Sequence, residues 1–225
     1  MSEEYLMIGS FGLDVDAWQG AFYDDKLPAD WRAASYSTLL RSVLLPQAEW
    51  QKAIIEDWID EVDEEFRFVL YAESCANDKR FSSLVKEFSV LPAAFSAQVA
   101  GVVLQFQPEM VSSENKAHIK EIQQLFPLCL DAGKVDISES GMDVFCDSLG
   151  LSCVWYPAVQ TEPLPSGDFL VTLINQETLP EQREIVSQIE RWMSGKRRAG
   201  LFNTNKDDAP LRAQETRILA ELMGV

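Results

Sequence analysis

The chain has 225 residues, 47% of them hydrophobic and 24% charged, an ordinary globular mix that argues against global disorder. Its net charge of −17, from 36 acids against 19 bases, disfavours nucleic-acid backbones and anionic membrane surfaces as partners. A single histidine, His118, and four cysteines with no C-x-x-C pair offer no zinc-site spacing, so Cys75, Cys129, Cys146 and Cys153 read as buried free thiols suited to a reducing cytosol.

Strand-like and helix-like segments alternate along the chain. Tyr5 to Ile8, ended by Gly9, reads as a first strand. The segment Leu27 to Arg32 starts a short helix, with Pro28 suited to its first turn. Thr38 to Leu45 is a second apolar run. Pro46 then opens a helix whose stripe is Trp50, Ile54, Trp58 and Val62, widened by Ile55 and Ile59. Phe66 to Ala72 is a third strand, and a helix follows over 77–90, capped by Asn77 or Asp78. Val99 to Phe106 is nearly all apolar, as in a parallel strand buried on both faces. Ile119, Ile122 and Phe126 mark the inner face of the next helix, and Lys134 to Ile137 is expected as the fifth strand.

A short helix over 140–149 should end at Gly150, before a sixth strand from Ser152 to Tyr156. The segment 157–168 carries three prolines and a glycine, which predicts a loop where a helix would otherwise stand. Phe169 to Ile174 is the seventh strand. Pro180 starts a helix with Ile185, Ile189, Trp192 and Met193 on one face. Gly200 to Asn203 is the eighth strand. A last helix, from about Asp208 to Met223, is expected to turn Leu211, Ile218, Leu219 and Leu222 inward.

Eight strands, each but one followed by a helix, predict an α/β fold: an irregular (β/α)8 TIM-like barrel occupying 1–225 as a single domain, with a Pro-rich loop replacing the helix after strand six. A doubly wound sheet is the alternative, but the turn after the first strand, Gly9-Ser10-Phe11-Gly12, lacks the Gly-rich phosphate pattern. The N-terminus, MSEEYLMIGS, has no basic leader, and no apolar run approaches the ~18 residues of a spanning helix, so a cytoplasmic protein is expected.

Three ordered stretches look familiar. The first is Ile8-Gly9-Ser10 followed by Trp18-Gln19-Gly20-Ala21-Phe22-Tyr23, Leu27-Pro28 and Trp31. The second is Gly101-Val102-Val103-Leu104-Gln105-Phe106-Gln107-Pro108. The third is Leu201-Phe202-Asn203-Thr204-Asn205, then Ala209-Pro210 and a closing helix. Together they resemble the domain-of-unknown-function 72 (YecE-like) family, of which this chain looks like a shortened and divergent member. The resemblance implies a TIM-like fold and no established activity. Several of the family's polar positions differ here. Tyr36 to Leu45 has no acid, Glu73-Ser74-Cys75-Ala76 has no histidine, Asp136-Ile137-Ser138-Glu139 has no base, and Ile174-Asn175-Gln176 replaces histidine-glycine.

Barrel sites form at the C-terminal ends of strands. The polar residues expected there as ligand contacts are Ser10, Glu73, Gln105, Asp136, Asn175 and Asn203, with Gln107, Glu139 and Asn205 nearby. Asp136, Glu139 and Glu73 have the chemistry of a magnesium or manganese site or of an acid–base pair, but their spacing demands neither, and no metal ligand, catalytic residue or cofactor is assigned. Trp18, Phe22, Tyr23 and Trp31 read as a satellite apolar cluster, or as a stacking wall for a ring-shaped ligand. His118 reads as a surface residue between Lys116 and Lys120. Lys196-Arg197-Arg198 reads as a basic helix end. Two functions follow: a degenerate barrel that binds a small molecule or a protein partner, or a small-molecule enzyme, a metal-assisted hydrolase or isomerase using carboxylates and amides at the mouth.

Overall fold

The computed structural model describes residues 6–52, 55–73, 78–106, 113–134, 141–163, 166–194 and 197–225. Its strands are β1 (Leu6–Ser10), β2 (Ser42–Pro46), β3 (Arg67–Ala72), β4 (Val99–Gln105), β5 (Leu128–Asp131), β6 (Ser152–Cys153), β7 (Phe169–Ile174) and β8 (Arg198–Asn203). They form two parallel sheets, one ordered β2-β3-β4-β5-β6 and one ordered β1-β8-β7. Among the described residues the helices are α1 (Arg32–Ser37), α2 (Gln47–Trp50), α3 (Ile55–Glu61), α4 (Asp78–Ser89), α5 (Ala93–Gln98), α6 (Ser113–Leu125), α7 (Met142–Leu149), α8 (Leu179–Trp192) and α9 (Ala209–Met223). None of them is long and apolar enough to cross a membrane.

Strand ends from the two sheets touch at both margins. The Gly12 N–H donates to the Leu44 carbonyl at 2.8 Å, and the Ser42 hydroxyl donates to the Ile8 carbonyl at 3.0 Å. Gly9 permits this approach, since a Cβ there would stand 2.0 Å from the Ser42 carbonyl oxygen. At the other margin the Trp155 N–H donates to Val171 O at 2.9 Å, and the Leu173 N–H donates to Trp155 O at 3.0 Å.

Side-chain alternation along the strands divides the core in two. One apolar cluster joins Met7, Leu44, Val69, Val103, Cys129, Val154, Val171 and Phe202, drawn from both sheets. The larger cluster lies between strands and helices and holds Val43, Leu70, Leu104, Leu130, Ile119, Ile122, Ile185, Ile189 and Trp192. The aliphatic stripes of α6 and α8 are therefore buried as their spacing predicts.

Other expectations are corrected. The second strand starts at Ser42, because α1 runs to Ser37 and Thr38 continues its last turn, with its N–H donating to Ser35 O. The single helix expected after Pro46 is two pieces, α2 and α3. An unforeseen α5 precedes β4. The fifth strand is Leu128–Asp131, six residues before its expected start at Lys134; residues 135–137 lie outside the described ones. Leu128, Cys129 and Leu130 are a short apolar run that a parallel strand buried on both faces requires. The 157–168 loop carries no helix among its described residues, and Gly150 ends α7 in the left-handed conformation. Cys129, Cys146 and Cys153 are buried free thiols, while Cys75 lies outside the described residues.

The last helix reverses its expected face. Ala209, Ala213, Thr216 and Ala220 are buried, whereas Leu222 is 82% exposed and Leu211 and Ile218 also face outward. α9 lies against β1 and β8, and small residues let its backbone approach the strands. Ala213→Leu is therefore expected to lower stability by about 2 kcal/mol by overpacking, while Leu222→Ala stays within about 0.5 kcal/mol. Urea unfolding of both variants checks the assignment; a larger loss for Leu222→Ala contradicts it.

Candidate active or binding site

The most developed polar constellation stands at the carboxyl ends of β3, β5 and β6. Asp131, the last residue of β5, is 3% exposed. Its Oδ2 accepts from the Tyr71 hydroxyl at 2.7 Å and from the Tyr156 hydroxyl at 3.1 Å. Its Oδ1 accepts from the same Tyr156 hydroxyl at 2.9 Å and from the Gly133 N–H at 2.7 Å. Tyr71 is held from the far side by Phe11, whose ring meets it edge-on at 5.3 Å. Burial pushes both phenols above their ordinary range, and the Asp131 charge beside them adds to the effect. Each therefore stays a neutral donor near pH 7, its own oxygen lone pairs free to accept from a ligand.

Beside this group lies a cleft of ≈ 470 Å³ between the loop after β6 and the first turns of α8. Trp155, Pro157, Ala158 and Ile185 give it apolar surface, and Asn175, Glu177, Glu181, Glu184 and Gln188 give it polar groups. Lys134 links the two places: it lines the cleft, and its ammonium stands 5.9 Å from the centre of the Tyr156 ring. Its volume falls within the usual range of small-molecule sites, while its lining is more polar and more open to solvent than is usual for them.

The residues expected at the strand ends divide. Gln105 is half-buried at the end of β4 and stands in register with Asp131. Glu73 is exposed, two residues beyond Tyr71, and its N–H donates to Gln47 Oε1 at 2.8 Å. Asn175 follows β7 and lines the cleft. Asn203 is buried; its Nδ2 donates to Asn175 O at 3.4 Å and its Oδ1 accepts from the Asn205 N–H at 2.9 Å, which shapes the turn into α9.

Ser10 is fully buried against the helix layer, where its N–H donates to the Tyr36 hydroxyl at 2.9 Å and its own hydroxyl donates to Gly12 O at 2.8 Å. Strand alternation turns it away from the side of β1 that carries Met7 and Phe11. Asp136, Glu139 and Gln107 lie outside the described residues. Among the described residues, no three His, Cys, Asp or Glu side chains gather where they could hold a metal ion.

The aromatic group after β1 resolves as structure. Trp18 and Tyr23 are buried; the Trp18 Nε1–H donates to Lys206 O at 3.0 Å and the Tyr23 hydroxyl to Leu13 O at 2.7 Å. They offer no open ring face, and Trp31 is 60% exposed. The same loop is tied by Arg32, which donates to Asp14 at 2.6 Å and to Asp16 at 3.0 Å, and by the buried Glu49 carboxylate, which accepts from the Leu13 and Asp14 N–H groups. His118 is not a free surface residue: its ring stacks on Phe81 at 5.9 Å. Arg197 lies over the Trp192 ring, and Lys196 is outside the described residues.

Sequence reasoning missed Asp131, Tyr71, Tyr156 and Lys134 as a group. A signal existed: Leu128-Cys129-Leu130 ends in an acid and is followed closely by Gly133, the pattern of a buried strand running into a turn.

No family model matches the sequence, and no curated protein matches it. Solved structures do. A DUF72 family protein of Thermotoga maritima superposes with a TM-score of 0.70 at 12% identity, covering 97% of this chain and 100% of its own. A DUF72 family protein of Enterococcus faecalis gives a TM-score of 0.64 at 12% identity, covering 96% and 95%. Coverage is near complete in both directions, so this chain is of their length. Over almost all of that length, it has the fold of the DUF72 family proteins.

Proposed function

We propose that this chain is a divergent DUF72 protein, a single (β/α)8 TIM-like barrel that binds a small molecule at the carboxyl ends of its strands without transforming it. The barrel reading is supported by the hydrogen bonds at both sheet margins, since a two-layer sandwich leaves its edges unpaired. It is supported also by the interior cluster, to which each strand or its extension contributes.

The binding reading rests on one observation: both oxygens of Asp131 are already occupied by Tyr71, Tyr156 and Gly133. A carboxylate so satisfied presents two oriented phenols rather than a free base or metal ligand. The departures from the family pattern at its histidine positions point the same way.

A thermal-shift screen of sugars, nucleosides, amines and carboxylic acids tests this. A ligand at one hundred times its Kd should raise Tm by about 5–10 °C. The shift should disappear in Tyr71→Phe/Tyr156→Phe, measured against that variant's own Tm. Turnover of the ligand, or a shift untouched by the double substitution, overturns the reading.

A further inference from the structure

Strand alternation decides which side chains accompany Asp131 at the strand ends. The interior cluster takes Val69 from β3, Val103 from β4 and Cys129 from β5. Two residues on, the same side of those strands carries Tyr71, Gln105 and Asp131. Gln105 stands beside Asp131 in register. Phe11, Tyr71 and Gln105 are each half-buried, so solvent reaches all three.

The charges there match neither a cation nor an anion. Asp131 accepts from Tyr71, from Gly133 and, on both oxygens, from Tyr156, which uses the lone pairs a carboxylate provides and leaves none for an ammonium group. Lys134, 5.9 Å from the centre of the Tyr156 ring, balances Asp131, and Glu73, two residues beyond Tyr71, adds a second acid. An anion therefore finds no excess positive charge. What the site offers is uncharged. The phenol protons of Tyr71 and Tyr156 are committed to Asp131, so their oxygens accept, and the Gln105 amide carries both donors and an acceptor. The rings of Phe11 and Tyr71, edge to face at 5.3 Å, set apolar surface beside these groups. A sugar ring has the matching chemistry: hydroxyls that donate and accept, and C–H faces that lie against aromatic rings.

We propose that the strand-end site binds a neutral monosaccharide, held by hydrogen bonds to Tyr71, Tyr156 and Gln105 with Phe11 against its C–H face. This rests on the small-molecule reading above and specifies its ligand class.

The test is saturation-transfer NMR of the full chain with glucose, galactose, mannose and xylose, beside glucuronate and glucosamine, which keep the pyranose ring and add one charge of either sign. A neutral sugar should bind with a Kd on the order of 1 mM, as suits a ligand of that size. The charged counterparts should bind about tenfold more weakly, one through repulsion and the other through an unpaired ammonium. Tyr71→Phe and Gln105→Leu, on different strands, should each weaken the sugar about fivefold, with folding checked by circular dichroism. Gln188→Ala, in the neighbouring cleft, should change nothing. Glucuronate or glucosamine binding more tightly than every neutral sugar overturns the assignment, as does sugar binding that both site substitutions leave unchanged. An amine or carboxylic acid whose thermal shift vanishes in Tyr71→Phe/Tyr156→Phe, with no sugar bound, overturns it too, yet leaves the small-molecule reading intact. That broader reading fails along with it when nothing in the thermal-shift screen binds.

Discussion

Asp131→Ala is expected to lower stability by about 3 kcal/mol. The carboxylate is 3% exposed, and its removal leaves the Tyr71 and Tyr156 hydroxyls and the Gly133 N–H without their acceptor. Hydrogen bonds to a charged group contribute more than neutral ones, and the donors left behind bear the desolvation cost. Asp131→Asn should lose less, about 1–2 kcal/mol, because one acceptor oxygen survives while the new amide faces donors. Tyr71→Phe, costly in the native chain, should cost almost nothing once Asp131 is alanine, a coupling of about 1–2 kcal/mol. Urea unfolding of the four-member cycle reads this directly. Strict additivity would mean that the group is three neighbours rather than one network.

Gly101→Ala is expected to cost about 2 kcal/mol, and Phe169→Leu in the same chain to recover much of it. A Cβ at Gly101 would stand 2.4 Å from the nearest ring carbon of Phe169, so the ring must move. Gly101 is on β4 and Phe169 opens β7, two strands that belong to different sheets and pair with other partners. Their contact therefore runs across the interior rather than along a ladder. A shorter side chain at 169 makes room for the methyl, although Phe169→Leu by itself should cost about 1–2 kcal/mol by leaving a cavity. Additive losses would show that the two positions do not face each other, and the proposed barrel closure would lose one of its supports.

The parts legible in the sequence are those where one local pattern had a single outcome. Phe169 to Ile174 is a strand at the residues its apolar run marks, and Gly150 ends α7 because it takes the left-handed conformation that closes a helix. Pro180 stands in the first turn of α8, as expected, and the structure adds a reciprocal cap between Thr178 and Glu181. The misplaced fifth strand shows the limit. Leu128–Asp131 is four residues long, too short for periodicity to separate it from the end of the preceding helix, and with the strand expected later in the chain the acid expected at its end was Asp136 in place of Asp131.

By itself, the sequence determined that strands and helices alternate, that a proline-rich segment stands where a helix is missing, and that the surface is strongly acidic. Each of these follows from composition or from contacts within one turn or one strand. The tertiary structure alone decided which way α9 faces, because the closeness of β1 and β8 selects alanines over leucines for its inner side. It alone decided that Ser10 serves Tyr36 and that Asp131 meets Tyr71 and Tyr156, residues 60 and 25 positions away. Such pairings arise from strand order and register, which no local pattern encodes.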